Sequence, residues 1–242
     1  MRHHHGVPHP GTDLSLLALP PQCRAGLALP RTERIHPHTV TVPAAWWNAE
    51  LTARDLPGGP LTTSTGEAGR TAISRSALFR LAPGPMDSDD DVLRLLWHVL
   101  AWGSGLKLRN NRRRLDSIRD GRPAVITALR EAATSARTDP EAAYRRLFKG
   151  AGVRYLGPAF FTKYLYFAGA GSFDHPCVIL DSRVAEALNK RCGWYSLRAG
   201  GGWPPETYGR YCTLLARWAS EESDRLGRQV GADEIELWLF RG

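Results

Sequence analysis

Beyond residue 90, apolar positions recur at three- and four-residue spacing, the period of one helix face. Val92, Leu95, Leu96, Val99 and Leu100 mark the first such helix. Asp87, Ser88, Asp89 and Asp90 precede it, offering N-caps and negative charge to its first turn, and the glycines of AWGSG end it. LKLRNNRRRLDSIRD follows as a basic helix anchored by Leu108, Leu115 and Ile118, and another helix runs from Pro123 to about Ala136. Asp139-Pro140, a cap followed by proline at the first helical position, opens a helix over Glu141–Phe148. Pro158–Ala168 predicts a strongly apolar helix, and Ser182–Lys190 a helix directly after Asp181. Pro204-Pro205 opens a long helix to about Leu226, with Tyr208, Tyr211, Leu215 and Trp218 among its apolar positions. The last segment, DEIELWLF, alternates Ile235, Leu237 and Leu239, which fits a strand or two helical turns.

The N-terminal part is patterned differently. Residues 1–40 are rich in His, Pro, Gly and Arg and lack periodicity, which predicts a flexible or loosely packed segment. TVTVPAAWWNAEL (39–51) predicts a short extended piece leading into a helix, with Trp46 and Trp47 as packing groups. Residues 53–70 hold several Gly, Pro, Ser and Thr and predict a loop, and Ile73–Ala82 a short helix. No internal repeat is visible. The expectation is a mainly α chain, with a few short N-terminal strands and three regions: 1–40, a packed subdomain over 41–90, and a helical functional region over 91–242.

Composition narrows the function classes. A 43% hydrophobic content is enough for a core, and no uninterrupted apolar run approaches the ~18 residues of a membrane span. No charged n-region followed by an apolar h-region suggests a signal peptide. Cys23, Cys177, Cys192 and Cys212 form no CxxC pair, so reduced cytosolic thiols are expected rather than a disulfide framework, a zinc ribbon or an iron–sulfur cluster. His3, His4 and His5 could chelate metal, but read more simply as a frayed tail. The formal net charge is +8, and from Gly105 to Arg154 there are 13 Lys and Arg against 5 Asp and Glu. The rest of the chain is balanced, so the whole excess lies in one fifth of it. That is the footprint of a polyanion-binding face, although a solvated helical surface would give the same count.

The chemistry concentrates in KGAGVRYLGPAFFTKYLYFAGAGSFDHPCVILDSRVAEAL (149–188). A helix, a glycine-containing turn and a second helix leave unpaired N–H groups at the second helix's start, where the helix dipole also favours a phosphate. Val153, Arg154, Tyr155, Leu156, Gly157 and Pro158 form this turn, and Lys149 adds counter-charge. An ordinary interhelical turn is the plain alternative. Lys163 sits in the otherwise apolar PAFFTKYLYFA. It either snorkels to water or lies desolvated in a cleft, where a lowered pKa would make its amine a nucleophile. Asp181 ends an apolar run and begins a helix, so it reads as an N-cap. A carboxylate fixed there could also stabilise positive charge on a sugar or activate a water.

Hairpin, apolar helix, loop and aspartate at a helix start together resemble the helix-hairpin-helix DNA glycosylase superfamily, nearest the 8-oxoguanine DNA glycosylase fold, over roughly residues 90–220. VRYLG occupies the place of the family's L-P-G-V-G hairpin, and VILDSRV carries its aspartate. Tyr155 stands where the family has its first hairpin glycine and Ala159 where bifunctional members have a lysine; Lys163 lies one turn further on the same face. The resemblance implies a helical glycosylase-like domain that flips a modified base from duplex DNA and cleaves its N-glycosidic bond. Asp181 would be the catalytic carboxylate, and Lys163 an amine adding AP-lyase activity through a Schiff base. It also implies a monovalent cation at the hairpin and no iron–sulfur cluster. Arg109, Asn110 and Asn111 would read the orphaned base, with Arg112, Arg113 and Arg114 on phosphates. Trp102 would be a wedge, with Trp194, Tyr208 and Tyr211 candidates for the base pocket. Double-stranded DNA is the expected partner, for a cytosolic monomer with no membrane role. A non-catalytic hairpin module that only binds DNA, and an RNA- or partner-binding helical protein, are the alternatives.

Overall fold

The computed structural model describes residues 12–62, 66–82, 84 and 86–241. The histidines at 3–5 lie outside them. After a 3-10 turn at Leu14–Leu16 come two short helices, α1 (Pro21–Gly26) and α2 (Arg31–Arg34). Strand β1 (Thr39–Val42) leads into α3 (Ala44–Thr52), and strand β2 (Thr71–Ser74) into α4 (Arg75–Phe79). The two strands pair antiparallel, Thr39 opposite Ser74 and Val42 opposite Thr71. The rest of the chain is helical: α5 (Asp89–Ser104), α6 (Asn111–Asp120), α7 (Arg122–Ser135), α8 (Pro140–Leu147), α9 (Pro158–Phe167), α10 (Ser182–Cys192), α11 (Pro205–Leu226) and α12 (Ala232–Arg241). The protein is mainly α, with one two-stranded sheet among the described residues.

The caps behave as their chemistry requires. Ser88 Oγ accepts the Asp91 N–H at the start of α5, and Asp139 accepts the Ala142 N–H at the start of α8. Pro140, Pro158 and Pro205 open α8, α9 and α11, where a missing N–H leaves no helix bond unmade.

Two segments differ from expectation, and a third, left open, is decided. Ile73 and Ser74 remain in the strand because they pair with Val40 and Thr39, so the helix expected over 73–82 occupies only 75–79. The basic helix starts at Asn111 rather than near Leu106, since Gly105 (φ 56) and Asn110 (φ 64) turn the chain through left-handed backbone first. DEIELWLF is helical. Of the strand and the helical turns that its alternation fits, the helix forms, with its acids pointing inward: Asp233, Glu234 and Glu236 are buried, held by Arg31, Arg228 and Arg75.

One continuous core runs from Leu19 to Leu239. Within the region expected to be loosely packed, Leu19, Cys23, Leu27 and Ile35 are buried. Helix α9 lies at the centre, packed on α5, α7 and α8; α12 closes the molecule against α10 and α11. Phe161 through Phe167 are all buried, so α9 presents almost no solvent face. All four cysteines are free and buried. Among the described residues, no helix is long and apolar enough to cross a membrane.

Candidate active site and nucleic-acid face

Asp181 is delivered by an extended segment that no neighbouring strand accompanies. Residues 177–180 are buried, so their backbone polar groups need partners from elsewhere. Side chains supply them. Tyr208 donates its hydroxyl to the Val178 carbonyl (2.9 Å) and Tyr211 to that of Ile179 (2.6 Å). Thr162 Oγ1 accepts the Leu180 N–H at 3.2 Å and lies 3.1 Å from the Leu180 carbonyl. Tyr208 and Tyr211, fully buried, are therefore not base-pocket groups; they hold the segment that aims Asp181. Trp194, 1% exposed, is likewise a core residue, under the Arg210 guanidinium.

The two oxygens of Asp181 do different things. Oδ1 caps α10, accepting the N–H groups of Arg183 (3.0 Å) and Val184 (3.2 Å). Oδ2 faces the Lys163 ammonium at 3.5 Å. Lys163 Nζ donates to the Ala159 carbonyl at 2.7 Å. Helical side chains lean toward the N-terminus, so the Lys163 amine lies back at the level of Ala159. Burial pushes the Lys163 pKa below its ordinary value, while the Asp181 carboxylate opposes that shift.

The pair has a tight surround. A Cβ on Gly103 would lie 3.2 Å from both Lys163 Cδ and the Phe160 ring. Next to Gly103, Trp102 is 5% exposed, edge-on to His38 and Phe167, with its indole N–H unpartnered among the described residues. It is walled into the core and cannot serve as a wedge inserted into DNA. His38 in turn meets Phe240, and Phe240 lies beneath Arg183, two residues from Asp181. Arg75 Nε donates to His38 Nδ1 at 3.1 Å, which assigns the imidazole proton to Nε2. Burial, then Arg75, push the His38 pKa down to about 4.

Arg75 also joins Glu236 (2.8 Å) and the Tyr166 hydroxyl (3.2 Å), whose proton goes to Asp233 (2.6 Å). This buried network ties α4, α9 and α12 together beside the pair. Sequence reasoning missed Thr162, Arg75, Glu236 and His38, whose partners lie far away along the chain.

The hairpin precedes α9. Lys149, Gly150, Ala151 and Gly152 turn through left-handed backbone, and Gly150 is required there because a Cβ would lie 2.9 Å from the Leu156 carbonyl. Tyr155 also has φ 64, the conformation glycine favours. Its ring is exposed, and its hydroxyl accepts from Arg113 at 3.1 Å. Val153 and Leu156 are buried and anchor the turn. The Arg154 N–H is taken by Ser117 Oγ at 3.1 Å, whereas those of Gly157, the N-cap of α9, and Ala159, in its first turn, have no partner among the described residues.

Most of the basic stretch falls into two groups. Arg112 pairs with Glu50, Arg119 with Asp116 and Asp120, Arg130 with Asp89, Arg145 with Glu141 and Glu206, and Arg146 with Glu131. Lys107, Arg109, Arg113, Arg137, Lys149 and Arg154 are exposed and make no ion pair among the described residues; Arg113 and Arg137 donate to neutral oxygens of Tyr155 and Gly84. Asn111, expected to read a base, is fully buried: its amide donates to Ser104 Oγ and its oxygen accepts from Arg114. Asn110 is half-buried at the left-handed entry to α6. No group of three or more metal-ligating side chains occurs among the described residues.

No curated protein and no solved structure matches the chain. One protein family does, described as "Putative 8-oxoguanine DNA glycosylase OGG-like protein", over residues 33–240. That span includes the hairpin, Lys163, Asp181 and the Arg75–Glu236 pair, and so the chain belongs to this OGG-like family.

Proposed function

We propose that the protein is a DNA glycosylase that excises a modified base, 8-oxoguanine or a relative of it, using Lys163 and Asp181. The observation that carries this reading is the pair itself: a desolvated amine 3.5 Å from a carboxylate that a helix cap holds in place. The resting ammonium gives a proton to the Asp181 carboxylate. The neutral amine attacks C1′ of an everted nucleotide, the C1′–N bond breaks, and its electrons leave with the base, which takes up a proton. Asp181 supplies that proton to the departing base and, negative again as the bond breaks, supports the positive charge developing at C1′. Loss of the proton from the attacking nitrogen and opening of the sugar ring leave an imine on Lys163, from which strand cleavage follows.

The hairpin N–H groups of Gly157 and Ala159, with Lys149 and Arg154, are suited to hold phosphates, and Arg109 to contact the strand opposite. They bind without reading sequence.

The test is mass spectrometry of bases released from duplexes that each carry one modified base. The wild type is expected to release at least one. Asp181→Asn keeps the cap, because asparagine caps as well as aspartate, and loses the charge. It is expected to abolish release while DNA affinity stays within about threefold. Release unchanged in this variant removes Asp181 from the mechanism. Duplex binding with no release from any member of the panel favours a non-catalytic hairpin module.

A further inference from the structure

Helix α12 is ringed by arginines, and most of them have a partner. Arg31, Arg75 and Arg228 meet its acids at 2.7, 2.8 and 3.0 Å, and Arg183 and Arg191 lie over the rings of Phe240 and Trp238. Arg34 has neither kind of contact. Its guanidinium makes no ion pair or hydrogen bond among the described residues, and its Nη1 is buried. The Glu234 carboxylate, whose charge reaches it, is already held by Arg228 and by the Gly231 N–H at 2.9 Å. A buried donor on a charged group is strongly unfavourable when it is left unmade. Burial, then the charge of Arg241, push the Arg34 pKa down, and an anion beside it would offset both.

Arg34 lines a cleft of about 410 Å³ between the end of α1, α2 and the last residue of α12. Gly26 lets the guanidinium approach: a Cβ there would lie 3.2 Å from Arg34 Nη1 and 3.3 Å from Trp238 Cδ1. Arg241, exposed in the same cleft, also has no ion pair among the described residues. His38 adds a neutral donor, since Arg75 holds its Nδ1 and the Nε2–H has no partner among the described residues. Glu33 lines the cleft too, exposed, and pairs with neither arginine. Two cations and a neutral donor against one carboxylate suit an anion rich in acceptor oxygens, and guanidinium forks match the geometry of phosphate. A cleft of this size holds more than the phosphate group itself, and Leu29, 53% exposed, offers apolar surface to the rest of an ester. These residues lie outside the basic stretch, in the part of the chain whose charges balance, so a charge count does not reveal them.

We propose that this cleft is a phosphate site, distinct from the hairpin, in which Arg34 and Arg241 take the charge and the His38 N–H takes one oxygen. Its ligand is a phosphate ester, supplied either by a DNA backbone or by a free nucleotide. Through His38, which meets Trp102 and Phe240, the cleft adjoins the surround of the Lys163–Asp181 pair. The site stands on its own residues and does not depend on the glycosylase reading.

The experiment has two arms, each run on wild type, Arg34→Met and Arg241→Ala. In the first, inorganic phosphate and then thymidine monophosphate replace chloride at constant ionic strength, and thermal unfolding is followed. The wild-type Tm is expected to rise with a saturable component that is lost in Arg34→Met and weakened in Arg241→Ala; the unsaturable rise that phosphate gives any protein stays in all three. In the second, duplex affinity is measured by fluorescence anisotropy against salt, and each variant is expected to make the log–log slope shallower by about one if the ester belongs to DNA. An effect in the first arm alone assigns the cleft to free phosphate esters, and an effect in the second assigns it to the DNA backbone. Variants that match the wild type in both arms overturn the proposal. Should Arg34→Met fail to fold, by circular dichroism, the exposed Arg241→Ala decides. A wild type that binds no duplex overturns the glycosylase reading and leaves the first arm to decide the site.

Discussion

Lys163 shows how much a single side chain's chemistry depends on its neighbours. The ordinary lysine amine is protonated and unreactive at neutral pH. Burial on α9 favours the neutral form, and Asp181 favours the charged one. Because the net shift is downward from 10.5, the reactive amine becomes available at lower pH than in a free lysine. The rate of covalent capture on an abasic-site duplex is therefore expected to rise with pH and level off below 10.5. Asp181→Asn removes the opposing charge and should move that rise to lower pH. A rise that continues unabated to pH 10.5 would show that the amine is not desolvated. The residue type and its apolar setting were legible in the sequence; the reach back to the Ala159 carbonyl was not, because it depends on side-chain direction rather than on position.

At the scale of elements, helix boundaries were legible wherever a local signal fixes them: Ser88, Asp139, Asp181 and the prolines at 140, 158 and 205. Misreadings came where distant partners decide. β2 keeps Ile73 and Ser74 by pairing with β1; α12, which its pattern left open between strand and helix, buries acids because arginines from elsewhere meet them. The aromatic residues of α11 read as pocket candidates, yet their hydroxyls serve the segment before Asp181. Thr162 does the same from α9, and gives a clean test of that arrangement. Thr162→Val preserves shape but strands the buried Leu180 N–H, at a cost of about 1–3 kcal/mol in denaturant unfolding. Since the freed segment carries Asp181, base release is expected to fall further than DNA affinity. Unchanged stability and unchanged release would show that Thr162 does not hold the segment.

Over the whole molecule, the net charge of +8 is less telling than its pairing. Several arginines of the basic stretch are spent on acids of neighbouring helices, and surface pairs of that kind contribute little to stability. Lys107, Arg109, Arg113, Arg137, Lys149 and Arg154 are left for a polyanion. The sequence showed the excess but not this division, which depends on which helices become neighbours. Duplex affinity should therefore fall steeply with salt, and Lys149→Ala or Arg154→Ala should each make the log–log slope shallower by about one. A slope unaffected by either change would place the DNA elsewhere on the surface.

The central claim is that the Lys163 amine and the Asp181 carboxylate act together on a deoxyribose carbon. Borohydride trapping on a duplex with one abasic site, followed by peptide mass spectrometry, tests it most directly. Reduction turns an imine into a stable secondary amine, so the residue that formed it keeps the sugar. The predicted result is an adduct on the peptide containing Lys163, absent in Lys163→Gln. An adduct on another residue, or none from a wild type that binds the duplex, would contradict the account.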